Sequence, residues 1–426
     1  MIPTKLLVGK GDQTSEMILA SSFGRFEIYA PYVNHLELSI PIGLIGRWEL
    51  LGLLRTYAQI RPLLPNLISL LLSPRHPYIE EEGPILADLI ETLISSSMER
   101  VDLYDAFRSP NSLELIPNRI HKLVKQIIAE CPNLSYLSLC YTQELPQDVH
   151  QTTIEMQQSI PSSLTDLKCH KAILCQSFYT WLASMVKLQQ LELNQLTGTC
   201  PRDFIDSISS QSHGFELRHL TLSLCTPLPT LDVCRLPIVR HLTHLMISFG
   251  CHAGWKSSTI TSLFDQLAAS SPNLYSLSIN GVRLRQAEFP ACRLTRMSSL
   301  PLRKISLTGV YRDSIGGLEE IVELIQTWPT LRSLDLNRYQ ISYEELEDVL
   351  PFCGHLLMLR MCIQGPVTHS IMSRRFTPPQ VVAKCSPFKL VSYPMDKHDP
   401  LEVNALARYV WDYLRPIIVT DLRVVL

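Results

Sequence analysis

The feature that most limits what this chain can fold into is a phrase that keeps returning. Its clearest copy is Cys131-Pro-Asn-Leu-Ser-Tyr-Leu-Ser-Leu-Cys140, in which Leu134, Leu137 and Leu139 stand in the spacing L-x-x-L-x-L. Residues two apart on an extended chain point to the same side, so Leu137 and Leu139 share one face of a strand. Pro132 lacks a backbone donor and ends any helix before it. The phrase reads as a helix stop followed by a strand with an apolar inner face.

With other apolar residues allowed, the frame recurs from Val33-Leu36-Leu38 to Val419-Leu422-Val424. Copies between them start at Leu67, Met98, Leu134, Leu164, Leu188, Leu217, Leu242, Leu274, Leu302, Leu331 and Leu356, with a weaker one at Phe388-Val391-Tyr393. The intervals run from 24 to 36 residues, averaging about 30, at the long end of the leucine-rich repeat range. Between phrases the apolar residues take a helical period, as in Ile120, Leu123, Val124 and Ile127, or Ile260, Leu263, Phe264 and Leu267. Ser342-x-x-Glu345 has the form of a capping box.

Alternation of strand and helix in short units predicts an α/β fold: a right-handed leucine-rich repeat solenoid, or horseshoe. Its parallel β-sheet lines the concave face and its helices the convex face. Residues 1–22 carry no repeat and are expected to form a tail; residues 23–426 are expected to form one array of about 13–14 irregular repeats. A long loop is expected near 365–398, which is rich in Pro, Ser and Lys, followed by a last helix from Leu401 to Leu414. Phe23 to Val33 is expected to be a helix capping the first strand.

The net charge of −2 argues against a nucleic-acid partner, which calls for a basic excess. No stretch has the continuous apolar length of a membrane span, and residues 1–20 do not read as a signal peptide. The 12 cysteines are scattered without Cys-x-x-Cys, so they are read as reduced, buried thiols of a cytoplasmic or nuclear chain. No catalytic motif stands out. Val8-Gly-Lys-Gly-Asp lacks the spacing of a phosphate loop. His241 and His244 are three apart and would point to opposite faces of a strand, which does not suit one metal ion. The expectation is a monomeric, non-enzymatic protein-binding chain with no cofactor and no metal.

In that reading, partner binding falls on the residues between the leucines, which face water. The candidates are Arg100, Asp102, Tyr104, Tyr136, Asp166, Lys168, His170 and Glu192. Tyr104, Tyr136, Arg100, Lys168 and His170, which the frame puts side by side on three adjacent strands, are the first choice among them, since Tyr and Arg are enriched at interface centres.

Three phrases, Cys131-Pro-Asn-Leu-Ser-Tyr-Leu-Ser-Leu139, Leu64-Pro-Asn-Leu-Ile-Ser-Leu-Leu-Leu72 and Tyr29-Ala-Pro-Tyr-Val-Asn-His-Leu-Glu-Leu38, resemble the repeat region of F-box/leucine-rich repeat proteins of mushroom-type fungi. The resemblance runs from about Phe23 to the C-terminus. It implies a substrate adaptor of a cullin–RING ubiquitin ligase, whose F-box docks on the ligase adaptor subunit while the repeats hold the target. In that family the F-box lies well upstream of the stretch matching Tyr29-Ala-Pro-Tyr32, and residues 1–28 carry no F-box pattern. The ligase subunit is therefore a partner only where an F-box precedes; the alternative is a stand-alone repeat scaffold or inhibitor.

Overall fold

The computed structural model describes residues 27–38, 62–72, 82–103, 117–140, 163–170, 173–174, 178–179, 182, 185–198, 201, 203–205, 216–249, 256–281, 291–308, 317–363 and 389–392. They fall into two compact units, Met1–His170 with Thr180–Leu188, and Lys171–Tyr179 with Gln189–Leu426.

The first unit holds five parallel strands paired in chain order: β1 (His35–Leu38), β2 (Ser69–Leu72), β3 (Arg100–Asp102), β4 (Tyr136–Cys140) and β5 (Asp166–His170). Helices α1 (Glu82–Leu93) and α2 (Pro117–Glu130) follow β2 and β3. The register aligns Leu36, Leu70, Val101, Leu137 and Leu167 in one row, the row that the repeat frame specifies. Leu70, Val101 and Leu137 are fully buried, as are Leu123, Val124 and Ile127 on α2. Before β1, residues 27–32 are helical and end in a 3-10 turn, Ala30–Tyr32.

The second unit opens with β6 (Ile173–Leu174), β7 (Gln190–Asn194) and β8 (Thr197–Gly198); β6 and β8 form a small parallel pair that the repeat pattern does not anticipate. Its main parallel sheet runs from β7 through β9 (His219–Cys225), β10 (His244–Phe249), β11 (Ser276–Asn280), β12 (Lys304–Thr308), β13 (Ser333–Ile341) and β14 (Met358–Ile363) to β15 (Lys389–Ser392). Helices α3 (Pro227–Arg235), α4 (Ser257–Ser270), α5 (Leu318–Thr327) and α6 (Tyr343–Val349) lie between strands. Ile260, Leu263, Phe264 and Leu267 of α4 are fully buried, as the periodicity requires. The capping box of α6 is present: Glu345 N–H donates to Ser342 Oγ, and Ser342 N–H donates to the Glu345 carboxylate at 2.7 Å. Both units have the α/β leucine-rich repeat architecture, with parallel strands in register and helices on the connections.

The proline phrase has a definite structural role. In Leu64-Pro-Asn-Leu67, Cys131-Pro-Asn-Leu134, Ser271-Pro-Asn-Leu274 and Trp328-Pro-Thr-Leu331, the fourth residue's N–H donates to the first residue's carbonyl at 2.9–3.1 Å. Proline thus stands at the second place of a β-turn, where its fixed φ is suited and no donor is needed. The first residue's side chain then reaches back one repeat. Cys131 Sγ donates to Ser95 O (3.4 Å), Ser271 Oγ to Val239 O (3.0 Å) and Trp328 Nε1 to Met297 O (3.2 Å).

Two expectations about the C-terminal part need correction. The weak repeat was framed on Val391, but the register pairs Leu390 with Leu359 and Val391 with Arg360. A one-residue shift exchanges the two faces of a strand, so Leu390 occupies the inward row. The long loop expected over 365–398 is interrupted by β15, which stands where the weak repeat was expected. Residues 1–22, the rest of that stretch, the helix expected at 401–414 and the repeat at Val419 lie outside the described residues.

Candidate functional site

Strand pairing arranges the residues that alternate with the inward leucines of the first unit into rows. Arg100, Tyr136 and Asp166 occupy one row; Asp102, Ser138 and Lys168 occupy the next; Cys140 and His170 are paired beyond them. The Arg100 guanidinium lies over the Tyr136 ring, 3.7 Å from its centre. The Tyr136 hydroxyl donates to Asp102 Oδ2 at 3.1 Å, and Thr165 Oγ1 donates to Asp166 Oδ2 at 2.6 Å. Partial burial first, and then the facing Asp102 carboxylate, push the Tyr136 phenol up to about 12, so it stays a neutral donor at physiological pH. A cation over an aromatic ring, with the ring's hydroxyl fixed by a carboxylate, is a rigid group with charged edges.

The eight candidates are therefore not all neighbours. Arg100, Asp102 and Tyr136 touch, while Asp166 and Lys168 lie on the adjoining strand. His170 is two residues further along β5 than Lys168, not beside Tyr136. Tyr104 lies outside the described residues. Glu192 is on β7 of the second unit, where it pairs in register with Thr221.

The expectation that small polar residues on this face meet water is corrected at several places. Ser138, Asn194, Ser248, Ser276, Ser306 and Asp335 are buried. Ser138 lies close to the Tyr136 phenol of its own strand, and Asp335 accepts from Arg360 Nη1 at 3.0 Å. Burial raises the Asp335 carboxyl, while Arg360 and Lys304 oppose that shift.

In the second unit, a feature emerges that single-strand reasoning misses. His219, His244 and Ser276 share a register row, and the two imidazoles stack with centres 4.1 Å apart. Tyr275 meets His244 edge-on at 4.6 Å. His244 Nδ1 is hydrogen-bonded to Thr243 Oγ1 at 3.0 Å. His241, the other half of the metal reading, stands before β10 and is exposed. The signal was present in the sequence as two histidines at the same place in consecutive repeats. Among the described residues no three metal-ligating side chains cluster, and no helix is long and apolar enough to cross a membrane. A depression of about 400 Å³ beside the histidines is lined by Glu216, Arg218, His241, Thr243 and Asn273.

No family model and no curated protein matches this chain. Among solved structures, it is similar to an internalin from Listeria monocytogenes, at 13% identity and a TM-score of 0.35, over 88% of this chain and 89% of that one. It is also similar to the leucine-rich repeat-containing protein LegL7 from Legionella pneumophila, at 14% identity and a TM-score of 0.38, over 78% of this chain and 91% of that one.

Proposed function

We propose that the chain is a protein-binding repeat array that recognises its partner through the water-facing strand residues. The observation that carries this reading is the Arg100–Tyr136–Asp102 cluster, an aromatic anchor clamped from two sides on a sheet face. Such anchors lose little side-chain entropy on binding, and Tyr and Arg dominate interface energetics. Affinity capture on the immobilised full chain, followed by mass spectrometry, identifies the partner. Arg100→Ala combined with Tyr136→Ala is then expected to weaken its binding at least about tenfold, with the fold retained by circular dichroism. Unchanged affinity removes this cluster from the interface.

The narrower form of the proposal is a substrate-recognition region of an F-box type ubiquitin-ligase adaptor. It is supported by the likeness of the Tyr29-Ala-Pro-Tyr32 stretch and the Pro-Asn-Leu phrases to that family. Its test is co-purification with the ligase adaptor subunit; failure to recover that subunit favours the stand-alone scaffold.

A further inference from the structure

Two columns of residues open the strands of the second unit, one just before each strand and one at its first position. From β7 to β14 they read Gln189-Gln190, Arg218-His219, Thr243-His244, Tyr275-Ser276, Arg303-Lys304, Arg332-Ser333 and Leu357-Met358. No Asp or Glu stands among them, although the chain as a whole has more acidic than basic residues. Arg218, Arg303, Lys304 and Arg332 are all exposed. Tyr275 and Leu357 expose apolar surface along the same columns, at 36% and 57%. The backbone at this edge gives the positions fixed spacing: in each repeat, paired N–H groups donate to one carbonyl of the repeat before, as Arg303 and Lys304 do to Tyr275 O.

We propose that this edge of the second unit, from β9 to β13, docks an extended, carboxylate-rich segment of a protein partner, and that the His219–His244 pair takes up a proton as the segment binds. Charge complementarity selects the occupant: the two columns carry cations and histidines and no carboxylate, the neighbouring ones being Glu216 at the depression and Asp335, already paired with Arg360, and such a run favours an acidic ligand and steers its approach. The exposed Tyr275 ring within this edge, and Leu357 just past its end before β14, favour a peptide, which brings apolar side chains between its carboxylates. The groups facing His244 are His219 on β9, Tyr275 before β11 and Lys304 on β12, with Arg218 and Glu216 as the charged groups lining the neighbouring depression. Burial, then His219 and Lys304, hold the free His244 below its ordinary range, so it is neutral until an incoming carboxylate compensates.

The test is fluorescence anisotropy on the full chain with a labelled peptide of alternating Glu and Ala, and the same peptide with Gln for Glu. The Glu peptide is expected to bind about tenfold tighter than the Gln peptide, and to tighten by a further several-fold between about pH 7.5 and pH 5.5. Arg303→Gln with Lys304→Gln, both at exposed positions, removes the preference for Glu. His219→Gln with His244→Gln keeps the preference but flattens the pH response. The Arg100→Ala/Tyr136→Ala variant leaves both untouched, so failure of the first unit's site is distinguishable from failure here. Equal affinity for the two peptides overturns the proposal. So does a pH response that survives loss of both histidines, or tighter binding of a single-stranded oligonucleotide of equal charge.

Discussion

Replacing Trp328 with Phe tests how the repeats are held to one another. Trp328 ends α5, opens the turn into β13 and is 1% exposed. Its indole N–H donates to Met297 O at 3.2 Å. That carbonyl also accepts from Leu300 N–H at 2.9 Å. Phe therefore removes one hydrogen bond without orphaning the acceptor, which costs about 0.5–1.5 kcal/mol rather than the larger penalty of an unpaired buried group. It also empties the space of the outer indole atoms that a phenyl ring does not reach. Complete truncation of a buried Trp to Ala costs about 3–5 kcal/mol, so this partial truncation accounts for about 1–2 kcal/mol. The expected loss is about 2–3 kcal/mol, read from urea unfolding followed by far-ultraviolet circular dichroism. Hydrogen exchange should show the loss of protection centred on β12 and β13, because repeat units are coupled to nearest neighbours. A loss below about 0.5 kcal/mol, or a Phe variant as damaged as the Ala variant, refutes the partition between hydrogen bond and volume.

Two further predictions concern strain and ionisation. Leu224 has φ 53° and a side chain 44% exposed, at the bulge that lets Cys225 turn inward opposite Phe249. A left-handed leucine costs about 1–2 kcal/mol, and Asn tolerates that backbone, so Leu224→Asn is expected to stabilise by about 0.5–1 kcal/mol; a lower unfolding midpoint contradicts this. Burial pushes the thiols of Cys131, Cys169 and Cys234 up to about 12 and that of Cys225 to about 11, from the usual 9.0. Their folded values lie above the unfolded one, so the neutral form favours the fold. That stability is fully present below pH 9 and is lost as pH rises toward 12. The thiols' contribution to the melting temperature should be lost only on the alkaline side, and a thiol reagent should modify these cysteines in urea but not in the native protein.

The inward rows were legible because they obey two local rules at once, a period of two within the strand and a recurring proline turn before it. Where the turn fails, the frame slips. Before β15 the position that would hold the first leucine is Pro387, and Phe388 next to it gave the better apolar match, one residue out of register. The water-facing rows were only partly legible, since their burial depends on residues about a repeat away. Ser138 lies close to Tyr136 of its own strand, which the sequence allows one to guess. Asp335 is paired with Arg360 on β14, which needs the register. The histidine stack needs the register as well: nothing in the 24 residues between His219 and His244 links them, and only alignment of consecutive repeats does.

That division of labour bears on function. The carbonyl opening the turn before a strand satisfies its own turn, with or without proline, and, where the next repeat offers Cys131 or Ser271, a second donor as well: Ser95 O takes Met98 N–H and Cys131 Sγ, and Val239 O takes Leu242 N–H and Ser271 Oγ. Cohesion between repeats is thus supplied by the turn, the sheet hydrogen bonds and the buried leucine rows. Exposed side chains such as Arg218, Arg303 and Lys304 take no part in it and can change without loosening the stack. A face freed in this way from structural duty is where an array of this kind can acquire specificity, and substitutions there should alter binding before they alter stability.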